Sequence, residues 1–167
     1  MTASPLEERV SEVLRSFPSL KRAGLARPLS RGPRAPVIAA VDGSSTGLDS
    51  ARTGARLARA LGAPLVLAYV RKGPPAWLGD PYFQRRLDAE VNAAHRALDA
   101  ASAVAEREGV AAGTVILEGS PARRIREFAN HRGARFVVVG SRRRRFTQSV
   151  SARVVRQSPR PVVVAAA

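Results

Sequence analysis

Two short polar stretches follow apolar runs in this chain, and their residue types suit hydrogen bonding to an anionic ligand. The first is Asp42-Gly43-Ser44-Ser45, after the apolar residues 37–41, and the second begins at Gly140-Ser141, after the apolar residues 136–139. Hydroxyls and free backbone amides bind phosphate oxygens, whereas an aspartate accepts hydrogen bonds from hydroxyls or from amides of the next turn. Both stretches are candidates for one binding site if the fold brings them together.

Four arginines, Arg142–Arg145, follow Gly140-Ser141 directly. Guanidinium groups bind phosphate bidentately, so these side chains could hold an anion, although they could also crowd a ligand out. Burying several guanidiniums side by side without an anion is costly. They therefore either have an anionic partner or point to water, and the sequence leaves both interpretations open.

A catalytic or metal centre finds little support. The chain has no cysteine, which removes thiolate nucleophiles and cysteine-built metal sites. His95 and His131 fall in predicted helices without an acid or nucleophile in a recognised pattern, and Ser44 and Ser45 have no adjacent base, so helix capping explains these serines better than catalysis. We predict a binding protein rather than an enzyme.

The formal net charge is +15, and every charged residue after Glu127 is basic. An arginine-biased composition explains part of this excess, and an anionic partner for the C-terminal part is the alternative. Phe146 is the only aromatic residue near the arginine run, so few side chains are present on which nucleic-acid bases could stack. The sequence also has no helix-turn-helix or RNA-binding signature. We therefore do not predict a nucleic-acid-binding protein.

The elements that must position these residues alternate between strands and helices. Short apolar runs bounded by turn residues predict strands, and apolar residues at steps of three and four predict helices between them. Such alternation is typical of an α/β fold with a parallel sheet, right-handed crossovers and helices on both faces. The predicted strands cover residues 37–41, 64–70, 114–117, 135–139 and 162–166, and the longest predicted helix covers residues 83–108.

Residues 1–35 precede this pattern. Ser4-Pro5-Leu6-Glu7 forms a capping box with proline at the first helical position, which predicts a short N-terminal helix. Residues 18–35 are rich in Pro, Gly, Ser and Arg and are typical of a linker. We predict an N-terminal helical extension over residues 1–35 and one α/β domain over residues 36–167.

No apolar stretch approaches the roughly 20 residues that a helix needs to cross a bilayer. The N-terminal residues carry acids and lack the apolar core of a signal peptide. From these observations we expect a cytoplasmic protein without a membrane partner.

Four segments in the same order along the chain resemble the universal stress protein family. The C-terminal segment is the most specific, because a Ser-Val helix start is followed by a valine strand bounded by Pro-x-Pro. The segments are Ile38–Ser45, Gly119–Ala129, Phe136–Ser141 and Ser149–Ala165, and the resemblance covers roughly residues 36–166. It implies a five-stranded parallel sheet of the Rossmann-like, adenine nucleotide alpha hydrolase-like type, and a homodimer that pairs through the C-terminal strand.

The resemblance also implies a nucleotide site, because many family members bind ATP and others do not. An aspartate at the position of Asp42 lies at the adenosine end of the family pocket, and the phosphates lie at the loop after strand four. If ATP binds, Mg²⁺ is expected with it, and the chain has at most a weak ATPase activity, for which no general base can be named. The implied binding residues are Ala40, Val41, Asp42, Val70, Gly140, Ser141, Arg142, Arg143, Gln148, Ser149, Val150 and Ser151.

The loop after strand four departs from the family pattern Gly-x-x-Gly-x9-Gly-Ser/Thr. Arg143 occupies the second glycine position, and Gln148-Ser149 best matches the final pair, only eight residues after Gly140. The loop is thus about five residues shorter and lacks both later glycines. Two hypotheses follow: either Arg142 and Arg143 replace the glycine amides at the phosphates, or the chain has lost ATP and acts as a protein-interaction module.

Overall fold

The computed structural model describes residues 35–73, 79, 81–141 and 149–165. In these residues, five strands alternate with four helices in the predicted order. The strand boundaries differ from the predicted ones by no more than two residues. In chain order the elements are β1 (Val37–Val41), α1 (Ser45–Leu61), β2 (Leu65–Arg71), α2 (Tyr82–Arg107), β3 (Ala112–Glu118), α3 (Pro121–His131), β4 (Phe136–Gly140), α4 (Val150–Gln157) and β5 (Val162–Ala165).

The five strands form one parallel sheet in the order β3-β2-β1-β4-β5. The chain moves outward from β1 through β2 to β3 and then crosses to β4 on the other side of β1. Val37 pairs with Phe136 and Ala39 with Val138, so the carboxyl ends of β1 and β4 lie side by side. A crevice opens at such a reversal of strand order, where ligands of α/β proteins bind. The predicted five-stranded parallel sheet is confirmed.

Helices cover both faces of the sheet, as predicted. Alternate strand residues point to opposite faces, so Val37 and Ala39 pack under α1 and α2, whereas Ile38 packs under α3 and α4. Each face has its own apolar cluster, and neither contains a charged residue. Among the described residues, the charged side chains therefore lie at the sheet edges and on the helix surfaces.

Helix α1 packs close to the sheet because small residues line its buried face. A Cβ atom added at Gly54 would lie 2.9 Å from the Cβ of Ala39. The helix begins after Ser44, whose Oγ accepts a hydrogen bond from the Gly47 amide at 3.2 Å, and ends at Gly62 with φ at 57°. This packing holds the first turn of α1 over the carboxyl ends of β1 and β4.

The predicted N-terminal helix lies outside the described residues. Among the residues that the structure describes, no helix combines the length and the apolarity that a membrane span requires. At the other end of the chain, β5 forms one edge of the sheet, and Val164 on this edge is 44% exposed.

Candidate functional site

A pocket of about 300 Å³ opens beyond the carboxyl ends of β1 and β4, between the sheet and the first turns of α3 and α4. We call it the switch-point pocket, because it lies where the strand order reverses. Its lining residues are Ala40, Val41, Asp42, Thr46, Gly47, Ala68, Val70, Pro121, Ile125, Val139, Gly140, Ser149, Val150 and Ser151.

Eight of the twelve residues that the sequence suggested for a site line this pocket. They are Ala40, Val41, Asp42, Val70, Gly140, Ser149, Val150 and Ser151. Ser141 does not line it, and its backbone amide donates to the Ala165 carbonyl at 2.9 Å, which ties the end of β4 to β5. Arg142, Arg143 and Gln148 lie outside the described residues.

Six lining residues were not among the twelve suggested ones: Thr46, Gly47, Ala68, Pro121, Ile125 and Val139. Two of them had a usable signal. Pro121 opens a helix directly after a strand, where the crevice is expected, and Gly47 interrupts the first turn of a helix whose buried face is otherwise made largely of alanine. The remaining four could be assigned only after the strand register and the helix packing were known.

Asp42 organises the turn between β1 and α1. Its Oδ1 accepts a hydrogen bond from the Ser44 amide at 3.1 Å and another from the Ser44 hydroxyl. The Ser44 hydroxyl lies 3.0 Å from the Thr46 hydroxyl and caps α1. Asp42 thus has the turn role that is typical of aspartate before Gly-Ser. Asp42 also lines the pocket, so the two roles considered for it are compatible.

Two glycines in the pocket wall are required by close backbone approaches. A Cβ atom at Gly140 would lie 2.3 Å from the Thr46 carbonyl oxygen and 2.8 Å from its carbonyl carbon. A Cβ atom at Gly47 would lie 2.7 Å from Oδ1 of Asp42. Gly140 therefore has a packing reason to be glycine that is independent of any phosphate, since it lets the first turn of α1 rest on the end of β4.

The start of α4 supplies the hydrogen-bonding groups of the pocket. Ser149 caps this helix, and its Oγ accepts from the Ala152 amide at 3.1 Å and lies 3.0 Å from the Ser151 hydroxyl. First-turn amides have no acceptor within their own helix, and the helix dipole makes this end attractive to anions. The first residues of α4 are thus able to receive phosphate oxygens.

Among the described lining residues, Asp42 is the only one with a charged side chain. Half of the fourteen described lining residues are alanine, valine or isoleucine, whose side chains suit a flat uncharged ring. Within the described part of the chain, no group of three or more His, Cys, Asp and Glu residues could hold a metal. Mg²⁺ in proteins is commonly held by one or two carboxylates and by substrate phosphates. Among the described lining residues only Asp42 offers a carboxylate, and its Oδ1 already accepts a hydrogen bond from the Ser44 amide within the turn.

A model of the universal stress protein family matches residues 34–166 of the chain. The chain belongs to the universal stress protein family. The match includes every described strand and helix, together with the loop after β4. The resemblance inferred from the four sequence segments is confirmed. A comparison with curated proteins gave no match.

Solved structures of the family have the same fold. A universal stress family protein from Burkholderia pseudomallei is 30% identical, with 80% of this chain and 97% of that chain covered and a TM-score of 0.63. A universal stress protein from Archaeoglobus fulgidus in complex with dAMP is 24% identical, with 78% and 96% covered and a TM-score of 0.64. A family protein from Arabidopsis thaliana with AMP bound is 20% identical, with 79% and 91% covered and a TM-score of 0.59.

Proposed function

We propose that this universal stress protein is a cytoplasmic, dimeric regulatory module that binds an adenine nucleotide in the switch-point pocket. The observation that carries the proposal is the make-up of this pocket. An apolar wall, one carboxylate and the start of a helix surround a cavity at the reversal point of the sheet. Structures of family members with dAMP and AMP bound support the choice of an adenine nucleotide.

Each part of a nucleotide has a matching part of the pocket in this proposal. The base packs on the apolar side chains around Val70, and the ribose hydroxyls donate to the Asp42 carboxylate. The phosphates accept hydrogen bonds from the first turn of α4 and from the serines there. Arg142 and Arg143 add charge-assisted hydrogen bonds in place of the family's glycine amides. Mg²⁺ enters with ATP, held mainly by phosphate oxygens.

A second candidate is a protein-interaction module that has lost ATP. It is favoured by the short loop after Gly140, in which arginine replaces the second glycine of the family pattern. It is also compatible with Gly140 itself, because the close approach of Thr46 accounts for this glycine without a phosphate. The two candidates differ in one measurable property, which is the binding of nucleotide at millimolar concentration.

Two valines of α4 offer a matched pair for this measurement. Val150 is 43% exposed and lines the pocket, whereas Val155 is 47% exposed and does not. Val150→Glu places a carboxylate where the phosphates are proposed to bind, at a helix position that tolerates an acid. At a separation of about 4 Å, two like charges repel each other by roughly 1 kcal/mol in water and roughly 4 kcal/mol near a protein surface. We expect V150E to weaken ATP binding at least tenfold and V155E to leave it unchanged, measured by titration calorimetry with Mg²⁺.

Adenosine serves as the uncharged control ligand. If the base and ribose lie where we propose, V150E binds adenosine as the wild-type protein does, because the new carboxylate faces only the phosphates. Equal ATP affinity of V150E and V155E would contradict the proposed site. Absence of heat with millimolar ATP, AMP and adenosine in the wild-type protein would favour the interaction module.

We also propose that the homodimer forms through β5. This strand is an edge strand, and Val164 on it is 44% exposed, so its free backbone groups and apolar side chains can pair with a second copy. Val164→Lys, which places a charge on this edge, should shift the protein to the monomer in size-exclusion chromatography with light scattering. A monomeric wild-type protein at the same concentration would contradict the dimer.

A further inference from the structure

A second concavity, of about 740 Å³, lies at the carboxyl end of β2 on the opposite face of the sheet, under the first half of α2. We call it the basic groove, because four cationic side chains line it: Arg71 and Lys72 from the end of β2, and Arg85 and Arg86 from α2. The groove does not include Asp42 or the start of α4, and within the described part of the chain it shares only Val70 with the switch-point pocket.

The cations of the groove are only partly neutralised. Among the described lining residues Glu90 is the one acid, and its Oε2 already accepts from the Gly73 amide at 3.0 Å, while its Oε1 lies 3.8 Å from Nε of Arg86. In the described ranges, Lys72 and Arg85 have no carboxylate within 4.0 Å. Lys72, Arg85 and Arg86 are exposed, so water solvates their charges, and an anion that enters the groove would be attracted by Lys72 and Arg85.

Arg71 provides a second, independent observation at the groove. Its side chain is only 18% exposed, and one guanidinium nitrogen, Nη2, forms an ion pair with Glu118 on the neighbouring strand. The other terminal nitrogen, Nη1, is buried and has no hydrogen-bond partner among the described residues. Buried polar atoms in native proteins nearly always have a partner, and a charged donor without one is costly. A phosphate oxygen in the groove would satisfy this donor if the guanidinium turned outward, because Nη1 is covered in the unbound protein.

Two tyrosines complete the groove. Tyr82, at the first position of α2, is 64% exposed, and the half-buried Tyr69 lies at the end of β2. An exposed tyrosine ring beside arginines is a surface on which a base stacks while its phosphate meets the guanidiniums. We propose that the basic groove is a second ligand site that binds a phosphate group carrying an aromatic base. The source of this group is either a free nucleotide or one unit of a single-stranded nucleic acid.

The test compares two arginines of α2 in the V150E protein, whose phosphate binding in the switch-point pocket is weakened. Arg85→Ala removes a groove cation, and Arg96→Ala removes an exposed cation of the same helix that does not line the groove. We expect residual ATP binding in V150E, a further loss of at least fivefold in V150E/R85A, and no further loss in V150E/R96A. The binding should weaken several-fold between 50 and 200 mM salt, since it depends on charge.

Three probes identify what the groove prefers: ATP, inorganic triphosphate and an oligothymidylate of eight nucleotides, each followed by calorimetry. Tighter binding of the oligonucleotide identifies a strand, and tighter binding of ATP identifies a free nucleotide. Tyr82→Leu should weaken both of these and spare triphosphate. Equal affinity for ATP and triphosphate would overturn the stacking role of the tyrosines. Equal binding of every probe to the R85A and R96A proteins would overturn the site itself.

The result is separable from that for the proposed function. If V150E destabilises the protein, R85A and R96A are compared without it, and the number of nucleotides bound per chain is measured. Two nucleotides per chain are then expected, falling to one in R85A and remaining two in R96A. Identical ATP affinities of V150E and V155E would remove the switch-point site, whereas identical affinities of R85A and R96A would remove only the groove.

Discussion

The two concavities at the carboxyl end of the sheet differ in the kind of recognition that they offer. The switch-point pocket has an apolar wall, with Asp42 as the only charged side chain among its described lining residues. Among its described lining residues, the basic groove has four cations, one acid and two tyrosines around a larger and more open space. Shape and hydrogen bonding should therefore dominate binding in the pocket, and charge should dominate binding in the groove.

The difference follows from which face of the sheet each concavity uses. On the α3/α4 face, Ala40, Ala68 and Val70 continue the apolar cluster up to the end of the strands. On the α1/α2 face, α2 extends past the end of β2, and its first three turns contain no fully buried residue. The free turns of α2 can therefore present charged side chains beside Arg71 and Lys72. One fold thus offers two binding environments at neighbouring strand ends.

The largest expected effect concerns the wall of the pocket. Gly140→Ala should lower the free energy of unfolding by about 2 kcal/mol or more, because the added methyl group meets the Thr46 carbonyl group at the end of β4. The control is Gly79→Ala, beside the start of α2, where an added Cβ has nothing within 4 Å. Urea unfolding measures both. A change below about 0.5 kcal/mol in G140A would mean that the close approach does not constrain the pocket wall.

The arginine loop should distinguish charged from uncharged ligands of the pocket. Arg143→Ala is expected to weaken ATP binding about tenfold, because a charge-assisted hydrogen bond contributes roughly 1.5–3 kcal/mol. Adenosine binding should change little, since adenosine lacks phosphates. Calorimetric titration of both ligands checks this. An unchanged ATP affinity would show that Arg143 does not hold the phosphates.

The opposite pattern is expected for Asp42. Asp42→Asn keeps an oxygen acceptor for the turn to Ser44 but removes the charge that receives the ribose hydroxyls. Adenosine and ATP should both bind a few times more weakly, while binding of oligothymidylate in the groove is unchanged. Fluorescence anisotropy with labelled ligands gives both affinities. A loss confined to the groove would reverse the assignment of the two concavities.

The smallest effect is expected away from both concavities. Glu127 accepts hydrogen bonds from Arg123, which has the larger effect, and from Arg124, and these hold its pKa below the ordinary value. A lowered pKa means that the ionised form stabilises the fold above the ordinary pKa of about 4.3, and that this contribution is lost as the pH falls through the lower folded value.

Glu127→Gln should therefore be slightly less stable than the wild-type protein at pH 7 and equal to it at pH 2, measured by urea unfolding at each pH. Because Glu127 lines neither concavity, ATP binding should be unchanged at pH 7. A stability difference that grows as the pH is lowered has the wrong sign and would contradict this assignment. A changed ATP affinity would show that the charges of α3 act on the pocket from outside.

Much of the fold could be predicted from the sequence because its signals are local. Gly62 ends α1 in the left-handed conformation, and Ser149 caps α4, as residue types at helix ends suggest. Asp42 and Gly140 could be predicted as site residues for the same reason, since each directly follows a predicted strand. The sequence could not predict the close contact of Gly140 with Thr46, or that Arg71 and Arg85 line the same groove. Both depend on how distant segments pack, which local residue types do not specify.

The most direct test of nucleotide binding in the switch-point pocket is a titration of the ¹⁵N-labelled protein with AMP, followed by amide chemical shifts. We predict that the amides of Gly47 and Ser151 move first and saturate together, and that the amides of Ala89 and Ala93 in the groove move only at higher AMP concentration. Shifts that begin at Ala89 and Ala93, or amides of Gly47 and Ser151 that stay in place at millimolar AMP, would contradict the proposed site.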